Sequence, residues 1–436
     1  MKDKIKNQTK DSVQNGNENH YDVIVIGGGA SGLMTAGRAG ELGKKVLILE
    51  GNKRLGEKLR ITGGGRCNVT NAEPDVRKFL SVYGKAEPFL HSIFSQFSNL
   101  DTFKFFEGKG LPLVVQARQR AFPHTEKALD VYNVMEKYVT NDNVKIVTNS
   151  KVTKINCSAG KIVNVECGKN IYTANEYVLA TGSLSHPETG STGDGFKWLN
   201  DLGHTVAAPT PSIVPLAVPE TWVHTLAGVS LSFMKITFFV ENSNGVQKKS
   251  FVKTGKVLFT HFGLSGPLIL NSAKQVSSLL HTGIVTAKID AYPDTDLGAL
   301  DRKIVAIFDN NKNKLFKNIV AEFVPEGTQK GILLLLAEKI DIDKKVHSIS
   351  RDERKYIVNT LKALPITISG LMGFDRAVIA DGGVPLGEVD MRTMRSSKVK
   401  NLFITGDLLH INRPSGGFSL QLCWTTGYVA GSNAGK

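Results

Sequence analysis

The sequence predicts an α/β fold: a Rossmann-type nucleotide-binding domain interrupted by an inserted segment that is part β and part helical. Three observations predict it. A strand, glycine turn, helix and strand follow one another near the start; a second strand and glycine-led helix close the chain; and a proline-punctuated stretch of alternating strands lies between them. At 436 residues the chain is too long for one small core, and its length suits two or three domains.

The first element is "YDVIVIGGGASGLMTAGRAGELGKKVLILE", Tyr21 to Glu50. Val23, Ile24, Val25 and Ile26 form a continuous apolar run, as in a parallel strand buried on both faces. Gly27, Gly29 and Gly32 satisfy G-x-G-x-x-G: the first permits the turn, the second admits a pyrophosphate, and the third lets helix and strand pack closely. Ala30 and Ser31 open the helix, where unpaired N–H groups and the helix dipole favour a phosphate. Gly43 follows the last helical turn, and Glu50 ends the next strand, where an acid accepts hydrogen bonds from a ribose diol and repels a 2′-phosphate. NADP is therefore disfavoured at this site.

Next comes "LGEKLRITGGGRCNVTN", with Gly63, Gly64 and Gly65 ahead of Arg66, Cys67 and Asn68. No buried strand feeds this triplet. It reads as a loop whose backbone passes close to something flat or anionic, which makes Gly64, Arg66, Cys67 and Asn68 candidate cofactor contacts. From Asn143 to Gly182 short β-like runs, "VKIVT", "KVTKI", "KIVNVE", "IYT" and "EYVLATG", predict a strand, a small antiparallel meander and a return strand ending at Thr181 and Gly182. Residues 191–370 read as the insert: "APTPSIVPLAVP" marks its entry, "MKITFFVE" and "KKSFVKTGKVLFT" alternate as antiparallel strands, and "KGILLLLAEKI" and "RDERKYIVNTLKAL" read as helices. Residues 21–190 and 371–436 then form the two parts of the nucleotide-binding domain. In the second part "NLFITGD" is a buried strand ending in Gly406 and Asp407, an acid placed to hold a ribityl chain. A helix starting near Gly417 and Phe418 points its N–H groups at a ring carbonyl.

Composition narrows the classes. Hydrophobic residues at 41% and charged ones at 22% are ordinary for a soluble globular protein. No apolar run nears the roughly 18 residues that span a bilayer. Residues 1–20 lack the apolar core of a signal peptide and read as a disordered leader, so a cytoplasmic location is expected. Cys67, Cys157, Cys167 and Cys423 show neither C-x-x-C nor zinc-ligand spacing; free thiols, no metal and no redox-active disulfide are expected, with the Cys67 thiol packed. Lys and Arg exceed Asp and Glu by 54 − 40 = 14, but the basic residues are scattered without a block. A solvated basic surface is the favoured reading over nucleic-acid binding.

Together these segments resemble a family of bacterial flavoproteins, the BaiN/YhiN-like or aminoacetone-oxidase-family FAD-binding enzymes. The resemblance runs from Tyr21 to the C-terminus and rests on "GGGASGLMTA", "TGGGRCNVTN", "AFPHTEKALDV", "TGSTGDGF", "LFTHFGLSGPLIL", "ADGGV" and "SGGFSLQ". It implies a glutathione-reductase-like FAD domain built from both ends of the chain, with β-rich and helical segments between. Two loops depart from the family. "GDLLHINRP" replaces its usual acids with His410 and Arg413, and Ser183, Leu184, Ser185, His186 and Pro187 follow "ATG" where the family has a second Gly and Ser-Tyr-Pro.

The resemblance implies an FAD-dependent oxidoreductase in which hydride passes between a small-molecule substrate and flavin N5. His261, His410 and His186 are the candidate proton donors, while Arg413 and Arg66 are candidates to hold a carboxylate or an enone oxygen. No second fingerprint appears, so NAD(P)H is expected to bind transiently over the flavin, or a partner protein to deliver electrons. The expected activity is reduction of an activated C=C bond, as in a steroid or bile-acid-like enone. The alternatives are an oxygen-using amine or aminoketone oxidase and an RNA-associated flavoprotein.

Overall fold

The computed structural model describes residues 20–241 and 245–436. The leader expected over residues 1–20 lies outside them except for His20, which starts the first strand. That strand, His20–Ile26, is the centre of the parallel sheet. It pairs in parallel with Val46–Leu49 on one side and with Asn170–Leu179 on the other. Val144–Val147 extends the sheet beyond the former, and Leu402–Ile404, from the far end of the chain, extends it beyond the latter. Val23, Ile24 and Val25 are wholly buried, as a continuous apolar run in a parallel sheet requires.

The runs "IYT" and "EYVLATG", read as separate in the sequence, are one strand, Asn170–Leu179. Its first residues pair antiparallel with Lys161–Cys167, and the rest pair in parallel with His20–Ile26. Its neighbours change midway, so no single alternation runs its length.

Helix Ala30–Glu41 packs against the C-terminal helix Phe418–Asn433 at backbone contact distance. A Cβ on Gly427 would sit 2.5 Å from the Ser31 carbonyl oxygen, and one on Gly431 would sit 2.4 Å from that of Thr35. One hydrophobic core therefore unites the two ends of the chain, from Tyr21 to Leu199 and from Val384 to Ala434. A second core runs from Leu216 to Ile368 around an antiparallel sheet of seven strands, among them Ser230–Glu241, Gln247–Thr260 and Ile284–Asp290. Helices Pro267–Leu280, Leu297–Asn310 and Arg351–Lys362 pack with it. The two chain crossings between the cores, Ala207–Pro211 and Ala380–Gly383, pair with each other as a two-stranded antiparallel ribbon. Among the described residues no helix is long and apolar enough to cross a membrane.

The helix crossing is testable. Gly427→Leu is expected to cost about 1–3 kcal/mol by overpacking and to lower the thermal midpoint. Gly108→Ala, at the end of helix Asn99–Gly108 where an added Cβ meets nothing within 4 Å, is expected to raise the midpoint slightly in the same thermal-shift assay, by removing glycine's unfolded-state freedom.

Candidate functional site

A cavity of about 750 Å³ opens along the carboxyl ends of strands His20–Ile26, Val46–Leu49 and Asn170–Leu179, the edge where open α/β sheets take their ligands. Its floor is the fingerprint turn, and the glycines there serve different ends. A Cβ on Gly32 would lie 1.9 Å from the Gly27 carbonyl oxygen, and one on Gly27 would lie 2.6 Å from that of Ala180, so both are excluded by packing. At Gly29 a Cβ would meet nothing within 4 Å; it would project into the cavity beside Ala30 and Ser31. The absence of a side chain at Gly29 thus leaves room for a ligand rather than for the protein.

Glu50 is fixed at the cavity wall. Its carboxylate accepts from the backbone N–H of Gly28 and from that of Asn52, each at 2.8 Å. Burial raises its pKa, and those two hydrogen bonds oppose the rise. Beyond it the cavity lining continues through Gly51, Asn52, Lys151 and Val152. In the other direction lie Thr181 and Gly182, then Gly64, Asp407, Ser419, Leu420 and Cys423. A helix N-terminus over a side-chain-free floor, with a fixed acid on one side and a second acid on the other, fits an extended dinucleotide such as FAD.

Other sequence candidates stand behind the wall. Gly406 brings the Leu402–Ile404 strand end against Ser31, with a Cβ position 2.8 Å from the Ser31 hydroxyl, and donates its N–H to Thr426 Oγ1 at 3.0 Å. Arg413 is buried and forms an ion pair with Asp407 while donating to Ile411 O (2.6 Å) and Ser419 Oγ (3.2 Å), so it locks Asp407 instead of facing the cavity. Gly417 packs on Thr70 and Phe418 joins the Phe79 and Tyr83 rings; Ser419, one residue on, is the first of this helix to reach the lining. Asn68, with its amide oxygen toward Gly417, accepts that N–H at 2.9 Å and donates to Thr70 O and Ala121 O; it clamps the helix start. Cys67 is fully buried, and burial pushes its thiol far up. Arg66 turns outward to Glu126 and Gln116.

The histidines divide. His186 is at the lining, with Nδ1 2.8 Å from Glu188 Oε1. His261 and His410 are exposed and outside the lining, so proximity to the cavity does not support the proton-donor role expected of them. His261 sits on the turn between Gln247–Thr260 and Gly263–Ser265, with its ring against Phe262. A buried His204 bridges Glu388 (2.9 Å) and Ser396 Oγ (2.8 Å) like a hydrolase triad, but that oxygen also takes the N–H groups of Lys398 and Val399. It is a fastener.

Sequence reasoning missed Lys58. The helix Glu57–Ile61 that carries it is too short to leave a periodic signal. Its Nζ reaches into the cavity and donates to Ser185 Oγ at 3.2 Å, and among the described residues it forms no ion pair. Burial lowers the ammonium pKa, with the Asp407 carboxylate partly opposing this. A desolvated cation with one neutral partner suits an anionic ligand. The apolar mouth was also missed: Ile61, Pro267, Leu270, Val378 and Ile379 come from three separate parts of the chain.

Gly29→Val is expected to purify folded but without flavin, read as the ratio of visible to protein absorbance. Gly32→Val is expected to lose the fold as well, by circular dichroism. Lys58 carries its charge only below its lowered pKa, so FAD affinity of the stripped protein is expected to fall as pH rises through that value. Lys58→Met is expected to bind more weakly and to lose this pH dependence in a fluorescence-quenching titration.

The sequence matches the family described as HI0933-like protein Rossmann domain over residues 21–433. It is 27% identical over 417 residues to a 3-dehydro-bile acid delta(4,6)-reductase of Clostridium scindens, covering 94% of this chain and 98% of the relative. It is also 27% identical over 415 residues to a ribosomal RNA dihydrouridine synthase of Haemophilus influenzae, covering 93% and 96%. Among solved structures, a 3-ketosteroid-delta4-(5alpha)-dehydrogenase from Rhodococcus jostii RHA1 shares the fold, with a TM-score of 0.52 at 15% identity over 99% of this chain and 100% of that one. The chain therefore belongs to the HI0933-like Rossmann family and is an FAD-dependent oxidoreductase.

Proposed function

We propose that the protein reduces a carbon–carbon double bond conjugated to a carbonyl, with NAD(P)H as the transient electron donor. The observation that carries this is the continuity of the dinucleotide groove with the apolar mouth formed by Ile61, Pro267, Leu270, Val378 and Ile379. A flat, unsaturated ring entering there would be shielded from water and adjoin the groove that would hold the cofactor. FAD, when bound, supplies the hydride. The chain supplies the rest. Lys58 Nζ offers positive charge where the carbonyl oxygen gains electron density. His186, whose Nδ1 is held by Glu188, has Nε2 available to give the proton to the α carbon.

The two relatives are named for different substrates, yet the bonds are of one kind. A delta(4,6) bile acid carrying a 3-oxo group is a conjugated enone, and uridine becomes dihydrouridine by saturating a double bond conjugated to its C4 carbonyl. The ene-reductase and RNA-associated expectations therefore converge on one reaction. No feature of the cavity favours an amine oxidase. The reading places the enzyme in the cytoplasm, where its free cysteines stay reduced.

The test is anaerobic. Enzyme reduced by NADH or NADPH is mixed with a 3-oxo-4-ene steroid or a uridine-containing RNA oligonucleotide. Return of the oxidised-flavin band, with product carrying two added hydrogens, is the expected outcome. Flavin that stays reduced with both compounds but turns over amines to peroxide in air would sink the reading.

A further inference from the structure

The stretch "TGSTGDGF", Thr189 to Phe196, runs along the cavity wall from the His186 turn into helix Asp194–Asp201. Its Ser191 is 7% exposed and lines the cavity, and its hydroxyl makes no hydrogen bond among the described residues. The other hydroxyls of the lining are engaged: those of Ser31, Thr62, Thr181, Thr189, Thr192 and Ser419 each have a partner within the protein. A buried hydroxyl without a partner is costly, and one that faces a cavity is free to bond what enters.

The backbone holds Ser191 in place. Gly190 donates its N–H to Pro187 O at 3.0 Å, Thr189 Oγ1 donates to His186 O at 2.7 Å, and Asn52 Nδ2 donates to Thr189 O at 2.9 Å. Gly182 then brings Ser191 and Lys58 to one gap. It is left-handed (φ 72°), and the point where its Cβ would stand lies 2.8 Å from Ser191 Oγ and 4.0 Å from Lys58 Nζ. Any side chain at that position would fill the gap, and glycine leaves it open. An ammonium has three N–H groups, of which Ser185 Oγ takes one, so Lys58 and the Ser191 O–H both have donors to spare. A cation and a hydroxyl facing one small gap suit a single oxygen that carries negative charge. A dinucleotide phosphate already has the N-terminus of helix Ala30–Glu41 to meet it, which leaves this gap for the second ligand.

We propose that Ser191 Oγ and Lys58 Nζ form one oxyanion subsite over Gly182, and that Ser191 is a further catalytic residue, donating to the substrate carbonyl oxygen as it becomes an enolate. This rests on the reading of the protein as a reductase of conjugated double bonds. When hydride adds to the β carbon, the electron pair of the C=C π bond moves toward the carbonyl, and its oxygen takes the charge. A proton from His186 to the α carbon returns that pair and restores the carbonyl, so two hydrogens are added in all. Ser191 meets a charged acceptor only between these two events, so its hydrogen bond strengthens where the barrier lies. One connection, from strand Asn170–Leu179 to helix Asp194–Asp201, carries Ser185, His186 and Ser191, and so sets oxyanion donor and proton donor on the same stretch of backbone.

The test uses the flavin-loaded, oxidised full chain and 4-nitrophenol, whose anion is a stable mimic of a conjugated enolate and differs in colour from the neutral phenol. The wild type is expected to bind the phenolate in preference to the phenol, drawing bound ligand toward the anion at a pH where both are present. Ser191→Ala is expected to weaken phenolate binding roughly tenfold and to leave phenol binding, flavin content and thermal midpoint unchanged. With a 3-oxo-4-ene steroid its kcat is expected to fall roughly a hundredfold with KM little changed, and Ser191→Thr, which keeps the hydroxyl, to recover most of the loss. Unchanged phenolate affinity in Ser191→Ala overturns the proposal, and so does loss of flavin from that variant, which would give the hydroxyl to the cofactor. The two failures separate. Ser191-dependent phenolate binding by a protein that reduces neither steroid nor uridine refutes only the reductase reading, and reduction with phenolate affinity and kcat unchanged in Ser191→Ala refutes only this subsite.

Discussion

The structure depends on the contact between the first helix and the last. Without side chains at Gly427 and Gly431, helix Phe418–Asn433 rests on the carbonyls of Ser31 and Thr35 in helix Ala30–Glu41. Both helices begin at the cavity, Ala30 and Ser31 at the fingerprint and Ser419, Leu420 and Cys423 on the C-terminal helix, and Ser31 and Cys423 meet around Gly406. The lining that these two helices share is therefore held by a backbone-to-backbone contact, in an interior too closely packed to let either helix shift alone. Gly406 repeats the arrangement from the sheet side, where strand Leu402–Ile404 ends against Ser31.

Much of this was legible in the sequence. The fingerprint turn, Glu50, the meander and the returning Leu402–Ile404 strand are local patterns in the sequence, and each folds as its pattern implies. The site was legible where a motif residue itself lines the cavity, as at Gly29 and Glu50. It was less so where a motif residue acts through another. Asn68, Arg413 and Gly417 belong to recognisable stretches, but their contacts are to protein: the helix start, the Asp407 carboxylate and the Thr70 backbone. A motif records that a residue is needed and does not say whether it meets the ligand or the wall behind it.

Lys58 and the mouth show the opposite failure. Lys58 stands in a five-residue helix with no periodic signature, and Ile61, Pro267, Leu270, Val378 and Ile379 meet only through the tertiary fold. His261 illustrates the same limit. Its stretch is distinctive, yet the turn that carries it leads the ring away from the lining.

The ribbon formed by Ala207–Pro211 and Ala380–Gly383 has an evolutionary consequence. The strands that leave and re-enter the nucleotide-binding core lie side by side, so the inserted sheet is covalently joined to it at two adjacent points. A segment so attached can diverge, or be exchanged for another of different shape, without asking the parallel sheet to move. The cofactor groove then stays constant while the Pro267–Leu270 wall of the mouth, which the insert contributes, changes around it. One scaffold can in this way present the same electron source to a sterol-like ring in one lineage and to a nucleobase in another.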